Sequence, residues 1–202
     1  MTVAEPATLL TDCLLAALAG TLATRLHFRT SADALAARWW TRVLALTAAA
    51  GVLGGTSHGF GPMLPSAVAD GLWLATLLTL NLTSAALGAA LVRAVVPPAS
   101  ARLWLVVVAL KLAGFAAYVV FRPEFVVAIL DYGLALLAWL LATMLTRKAW
   151  RGWMGAAVGF SVVAAVIQQA QLGFTAWFNH NDLYHVVQAA ALVCFYRAAR
   201  RL

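Results

Sequence analysis

Few side chains in this sequence can do chemistry, and most of them lie inside apolar stretches. They are Asp12, His58, Asp70, Asn81, Lys111, Asp131, Gln168, Gln169, Gln171, Asp182 and His185, with His180 just outside the last stretch. A polar group at membrane depth is costly, so each one is a functional suspect by default. Three histidines stand out. His58 closes the second apolar stretch, and His180 and His185 open the last one. Neutral imidazole is the commonest nitrogen ligand for zinc, and three protein ligands plus a water form the catalytic pattern. His58, His180 and His185 are therefore the candidate metal ligands.

The segment Asn179-His180-Asn181-Asp182-Leu183-Tyr184-His185 is dense in ligand-type and capping side chains. Asp182 or Asn181 can cap the last helix. His180 would then approach from the loop while His185 points from the first turns. On one continuous helix, a spacing of five residues turns the two imidazoles about 140° apart, which is poor for shared ligation. The three-histidine site thus requires a helix that starts after His180. Asp131 and Lys111 sit on neighbouring stretches and read as a buried ion pair. Asp12 reads as a cap or interfacial residue. Asn81 and the hydroxyls of Thr76, Thr79, Thr83 and Ser84 read as interhelical hydrogen bonds.

The elements that position these groups follow from composition. The chain has 202 residues, 64% hydrophobic and 10% charged, with mean hydropathy +0.89. A soluble domain carries roughly 25% charged residues; this chain cannot cover a water-facing surface, so lipid is its solvent. Seven apolar stretches run Thr8–Leu26, Trp39–Ser57, Ser66–Val92, Arg102–Phe121, Phe125–Thr146, Trp153–Phe174 and Leu183–Ala199. Each approximates the 20 or so residues needed for a span, and in lipid the backbone must satisfy itself, so the spans are helices. Gly59-Phe60-Gly61-Pro62 with Pro65, then Pro97-Pro98, then Pro123 punctuate them. The expected fold is an all-α seven-transmembrane-helix bundle, a single domain over residues 1–202.

The net charge of +7 does not call for nucleic acid, because the cations cluster by position. Arg25, Arg29, Arg38 and Arg42 flank the first connection, Arg93 and Arg102 the third, and Arg147, Lys148 and Arg151 the fifth. Arg197, Arg200 and Arg201 end the chain, whereas connections 58–66, 122–124 and 174–182 hold only Arg122. By the positive-inside rule the N-terminus lies outside and the C-terminus inside. Trp39, Trp40, Trp150, Trp153 and Trp177 fall near the expected interfaces. Met1 to Pro6 lacks a basic leader region, so the first stretch reads as a span, not a cleaved signal. Cys13 and Cys194 lie towards opposite faces and are not expected to pair. In this topology the ionisable groups gather in the outer half of the membrane, with Lys111 alone near the middle. One polar cavity open to the outer face would produce that segregation. The alanine-rich composition fits a bacterial inner membrane.

The pattern resembles the CREST superfamily of seven-span membrane hydrolases, which includes alkaline ceramidases and adiponectin-type receptors. Its members share a Ser and a His near the end of the second span, an Asp early in the third and an HxxxH at the start of the seventh. Here Gly55-Thr56-Ser57-His58 ends the second stretch, Asp70 follows His58 by twelve residues, and His185 stands in Asp182-Leu183-Tyr184-His185-Val186. Two positions depart from the pattern: Asn181 stands where the first histidine of HxxxH belongs, and Gly54 where the serine belongs. The resemblance implies a zinc-dependent hydrolase of a lipid amide or ester. His58, His185 and His180 (or Asn181) would hold zinc, Asp70 would act as base or hold the water, and Ser57 or Thr56 would stabilise the oxyanion. Membrane lipids are the implied partners, with a lipid-like substrate entering sideways from the bilayer. Two other classes compete: a transporter or proton-coupled channel relaying through Asp12, Asp70, Asp131, Lys111 and the histidines, and a non-enzymatic receptor or structural subunit. The last stretch has no lysine for a retinal Schiff base.

Overall fold

The computed structural model describes residues 3–175 and 177–202; Met1 and Thr2, part of the segment read for a leader, fall outside them. Every regular element among the described residues is helical. Seven α-helices run α1 Pro6–Arg29, α2 Leu35–Phe60, α3 Ser66–Val95, α4 Pro98–Phe121, α5 Phe125–Leu145, α6 Arg151–Gln169 and α7 His180–Ala199. Five of the seven expected stretches are lengthened at one or both ends; the fifth stops one residue early, and the sixth, expected to run to Phe174, ends at Gln169. α2 begins four residues before Trp39, and α4 begins at Pro98. Pro6 and Pro98 open their helices at a first-turn position where a missing N–H costs nothing. Past His58, a short 3₁₀ turn at Gly61–Met63 leads into Pro65, which flanks α3. The first six helices are long and apolar enough to cross a membrane. The seventh has a polar first half, because His180, Asn181, Asp182, His185 and Gln188 all lie in its first nine residues.

Six helices form a ring, each packed on the next in the order α1, α2, α3, α5, α6, α7, and α7 closes back onto α1. α4 stays outside the ring, laid against α3, with only Ala101 and Val119 buried. The α1–α2 seam is held close by small residues. A Cβ on Gly55 would stand 2.9 Å from the Asp12 Cβ, one on Gly51 3.0 Å from the Ala16 Cβ, and one on Gly59 2.9 Å from Leu9 Cδ2. Glycine at every fourth position lets two backbones approach where any side chain would part them.

The end of the ring that carries the basic connections is solid. Trp40 stacks on Phe195 at 4.9 Å and packs on Trp139 at 5.5 Å, which meets Trp150 edge-on at 5.4 Å. Trp139 also donates its indole N–H to the Leu87 carbonyl at 3.1 Å. The opposite half of the ring is hollow.

Candidate intramembrane site

The hollow is a cavity of about 310 Å³, lined by α1, α2, α3, α5, α6 and α7 and not by α4. Its walls are mainly apolar, among them Leu15, Leu80, Phe125, Leu136 and Val158. Its polar members are Asp12, Thr47, His58, Thr76, Thr83, Ser161, Gln168, Asn181, Tyr184, His185 and Gln188. Such a mix of apolar wall and few polar groups is the usual make-up of a ligand pocket. Gly133 and Leu137 of α5 and Val162 of α6 line the cavity and are exposed, Leu137 and Val162 each by 52%. The cavity therefore reaches the lateral surface between α5 and α6.

The centre of the polar end is a contact between the first helix and the last. His185 Nε2 lies 3.2 Å from Asp12 Oδ1, and His185 Nδ1 lies 3.0 Å from Thr11 Oγ1. In the Nε2–H tautomer the ring N–H faces Asp12 Oδ1 and Nδ1 is left as an acceptor facing the Thr11 hydroxyl. Thr11 Oγ1 is also 3.3 Å from Asp182 Oδ1, and the other oxygen of Asp182 accepts from the Asn179 backbone N–H at 2.7 Å. Asp182, fully buried, is thus engaged by the capping box that starts α7. Asn179 is the N-cap, its side chain accepting from Asn181 N at 2.8 Å. Gln168 donates to Asn181 Oδ1 at 2.9 Å and ties α6 to the same helix start. His58 faces the cavity from α2, its Nδ1 3.7 Å from Glu5 Oε1 and its ring edge-on to Trp73.

Four buried polar atoms on cavity-lining residues have no hydrogen-bond partner among the described residues: Asp12 Oδ2, Ser161 Oγ, Gln168 Oε1 and Gln188 Oε1; Trp40 Nε1, Asn81 Oδ1 and Thr146 Oγ1 are unpaired away from the cavity. Buried polar groups are nearly always paired. The three carboxylate and amide oxygens and one hydroxyl around the chamber are groups that a donor-bearing guest can satisfy.

The structure brings together only part of the expected set. His58 and His185 both line the cavity; His180 does not. The reason is the cap. Asn179, not Asn181 or Asp182, starts the helix, so His180 is its first residue and stays on the same continuous helix as His185. Their five-residue spacing then turns them to different faces. His185 moreover has both ring nitrogens engaged by Thr11 and Asp12. Among the described residues no group of three or more His, Cys, Asp and Glu side chains is arranged to hold a metal. The residues present do not fit the expected zinc centre.

Asp70 is exposed and lies outside the cavity, and Ser57 is half-buried and also outside it. Gly54, where the resemblance to seven-span hydrolases calls for a serine, does line the cavity. A Cβ there would stand 3.6 Å from Thr76 Cγ2 and 3.8 Å from Asp12 Oδ1, so the Asp12 carboxylate fills the neighbourhood a serine would share. Thr76, Thr79 and Thr83 donate to carbonyls one turn back in their own helix and make no interhelical bond. Asn81 and Ser84 do bond across helices. Asn81 Nδ2 donates to Asp131 Oδ2 at 2.8 Å, and Ser84 accepts from Lys111 Nζ at 2.8 Å. Lys111 and Asp131 form the expected ion pair, and neither lines the cavity. Cys13 and Cys194 are both free.

Asp12 is the residue whose importance the sequence did not reveal. Read alone it is an interfacial carboxylate, yet it is 96% buried and partners His185 across 173 residues of sequence. One local signal pointed to it: the glycines at 51, 55 and 59, which mark where α1 must press closest to α2.

No curated protein and no solved structure matches the chain. Residues 7–202 match a family of unknown function, DUF6962, and with nearly the whole chain covered, the protein belongs to that family.

Proposed function

We propose that this protein is an integral membrane hydrolase that takes an amphiphilic lipid sideways into the ring and cleaves an ester or amide bond beside Asp12 and His185. The observation that carries this reading is the coincidence of the unmet acceptors with an apolar chamber reaching the lateral surface. Acyl chain suits the walls, and a donor-bearing headgroup and a water suit the polar end.

In this reading Asp12 is the general base. His185 N–H holds Oδ1, Thr11 and the capped Asp182 hold His185, and Oδ2 is left to accept a proton from water. The water oxygen bonds to the acyl carbon as that proton passes to Oδ2. The bond from carbon to the leaving oxygen or nitrogen then breaks, and Asp12 returns the proton to the leaving group. A positioned base contributes about 10²–10⁴-fold in rate. No step is routed through zinc, because the donor set does not gather. The positive-inside pattern puts this polar end at the outer face and the N-terminus outside, in a bacterial inner membrane on composition.

The test uses the protein in nanodiscs with a panel of ceramides and phospholipids, wild type against Asp12→Asn and Gly133→Trp. Asp12→Asn should lower turnover by about 10²-fold or more while leaving the lipid bound. Gly133→Trp, at the lateral opening, should block uptake and leave Asp12 intact. A substrate turned over equally by wild type and Asp12→Asn rules out this base. If no lipid in the panel is cleaved and Asp12 and His185 variants abolish proton or solute flux in liposomes, the cavity is a transport pathway.

A further inference from the structure

The basic end of the bundle carries a second cleft, separate from the intramembrane cavity. It is bounded by the α1–α2 connection, the end of α3, the α5–α6 connection and the C-terminal residues, with buried Trp150 among its walls. Arg93, Lys148 and Arg201 converge on it, and Asp33 is its one acidic side chain. None of the three cations is in a salt bridge among the described residues. Arg201 donates to the Ala149 carbonyl at 3.5 Å and lies 5.8 Å from the Trp153 ring centroid. Three like charges from three separate segments repel one another where they meet, and Asp33 is the one acidic side chain that offsets them. The cleft is thus short of anion. It also lies at the level of an interfacial belt, where Arg42 covers Trp39 at 4.2 Å and Arg197 covers Trp153 at 4.5 Å.

We infer that this cleft binds a phosphate group, held by Arg93, Lys148 and Arg201, with Asp33 limiting its affinity. Guanidinium groups pair phosphate oxygens in a bidentate fork, and lysine adds a point charge. Basic pockets at the membrane face between helices suit the headgroups of anionic lipids. The same chemistry serves a free phosphate ion, and the experiment separates the two sources.

Native mass spectrometry of the detergent-solubilised protein would count phosphatidylglycerol adducts against phosphatidylcholine adducts, with inorganic phosphate titrated as competitor. Each cation neutralised should weaken binding about five-fold, so Arg93→Gln/Lys148→Gln/Arg201→Gln should lose the adduct. Arg147→Gln, a nearby exposed cation outside the cleft, should keep it. Asp33→Asn should bind more tightly than wild type, which guards against misreading a poorly folded triple variant. An adduct specific to phosphatidylglycerol and resistant to inorganic phosphate identifies a lipid headgroup. Binding of inorganic phosphate that is lost in the triple variant and strengthened in Asp33→Asn identifies a free-phosphate site. Equal binding of both probes by wild type, the triple variant and Asp33→Asn overturns the inference.

Discussion

Lys111→Met should detach α4 from the ring, at a cost the structure allows to be worked out. α4 buries only Ala101 and Val119, so apolar burial gives it little hold, and between lipid-like surfaces the hydrophobic effect gives none. Beside the close packing of Val108 on Gly88, its strongest polar tie is one ammonium. Lys111 has three N–H donors and three acceptors: Ser84 Oγ, the Asp131 carbonyl at 3.2 Å and the Asp131 carboxylate. The Asp131 carboxylate is 1% exposed, and its other oxygen accepts only from Asn81. Removing the lysine leaves a buried carboxylate with one neutral donor, a situation that costs about 3–5 kcal/mol. Asp131→Asn should cost less, because the Lys111 side chain is 21% exposed and its flexible stem can reach towards a polar boundary. The double variant removes both charges together. It should fall short of the sum of the singles by at least about 2 kcal/mol. The assay is unfolding by SDS titration in mixed micelles for the four members of the cycle. Single-variant costs that add to within about 0.5 kcal/mol would mean that Lys111 and Asp131 are not energetically coupled, and the account of α4 would fail.

Gly55→Val places carbon where the Asp12 Cβ already lies 2.9 Å away. It should destabilise by about 1–3 kcal/mol and abolish turnover, read by SDS titration and the lipid assay; unchanged activity would show that α1 need not approach so closely. Asn179→Ala removes the cap of α7 and should cost about 1 kcal/mol, with Asn179→Asp recovering most of it in the same titration. Elemental analysis after zinc loading at neutral pH should find far less than stoichiometric zinc. About one zinc per chain, lost in both His58→Ala and His185→Ala, would instead reinstate the metal centre.

The sequence by itself pointed to a membrane and to the secondary structure. Only 10% of its residues are charged, and apolar runs cut by Pro62, Pro97, Pro98 and Pro123 can satisfy their backbones in lipid only as helices; the structure has six helices long and apolar enough to cross one. It also put Asp12, His58 and His185 at the same end of the bundle, where the structure lines one cavity with them. Depth is one coordinate. Which residues share a face at that depth depends on helix phase and on the order of helices around the ring, and neither is written in local pattern. A one-residue difference in where α7 begins decides whether His180 and His185 can meet, and Asn179 settles it through hydrogen bonds to its own helix. Asp70 is at the right depth but turned out of the ring, whereas Asp12 is turned in. The Asp12–His185 pair joins the first helix to the last, a contact that exists only because six helices close into a ring and leave the fourth outside.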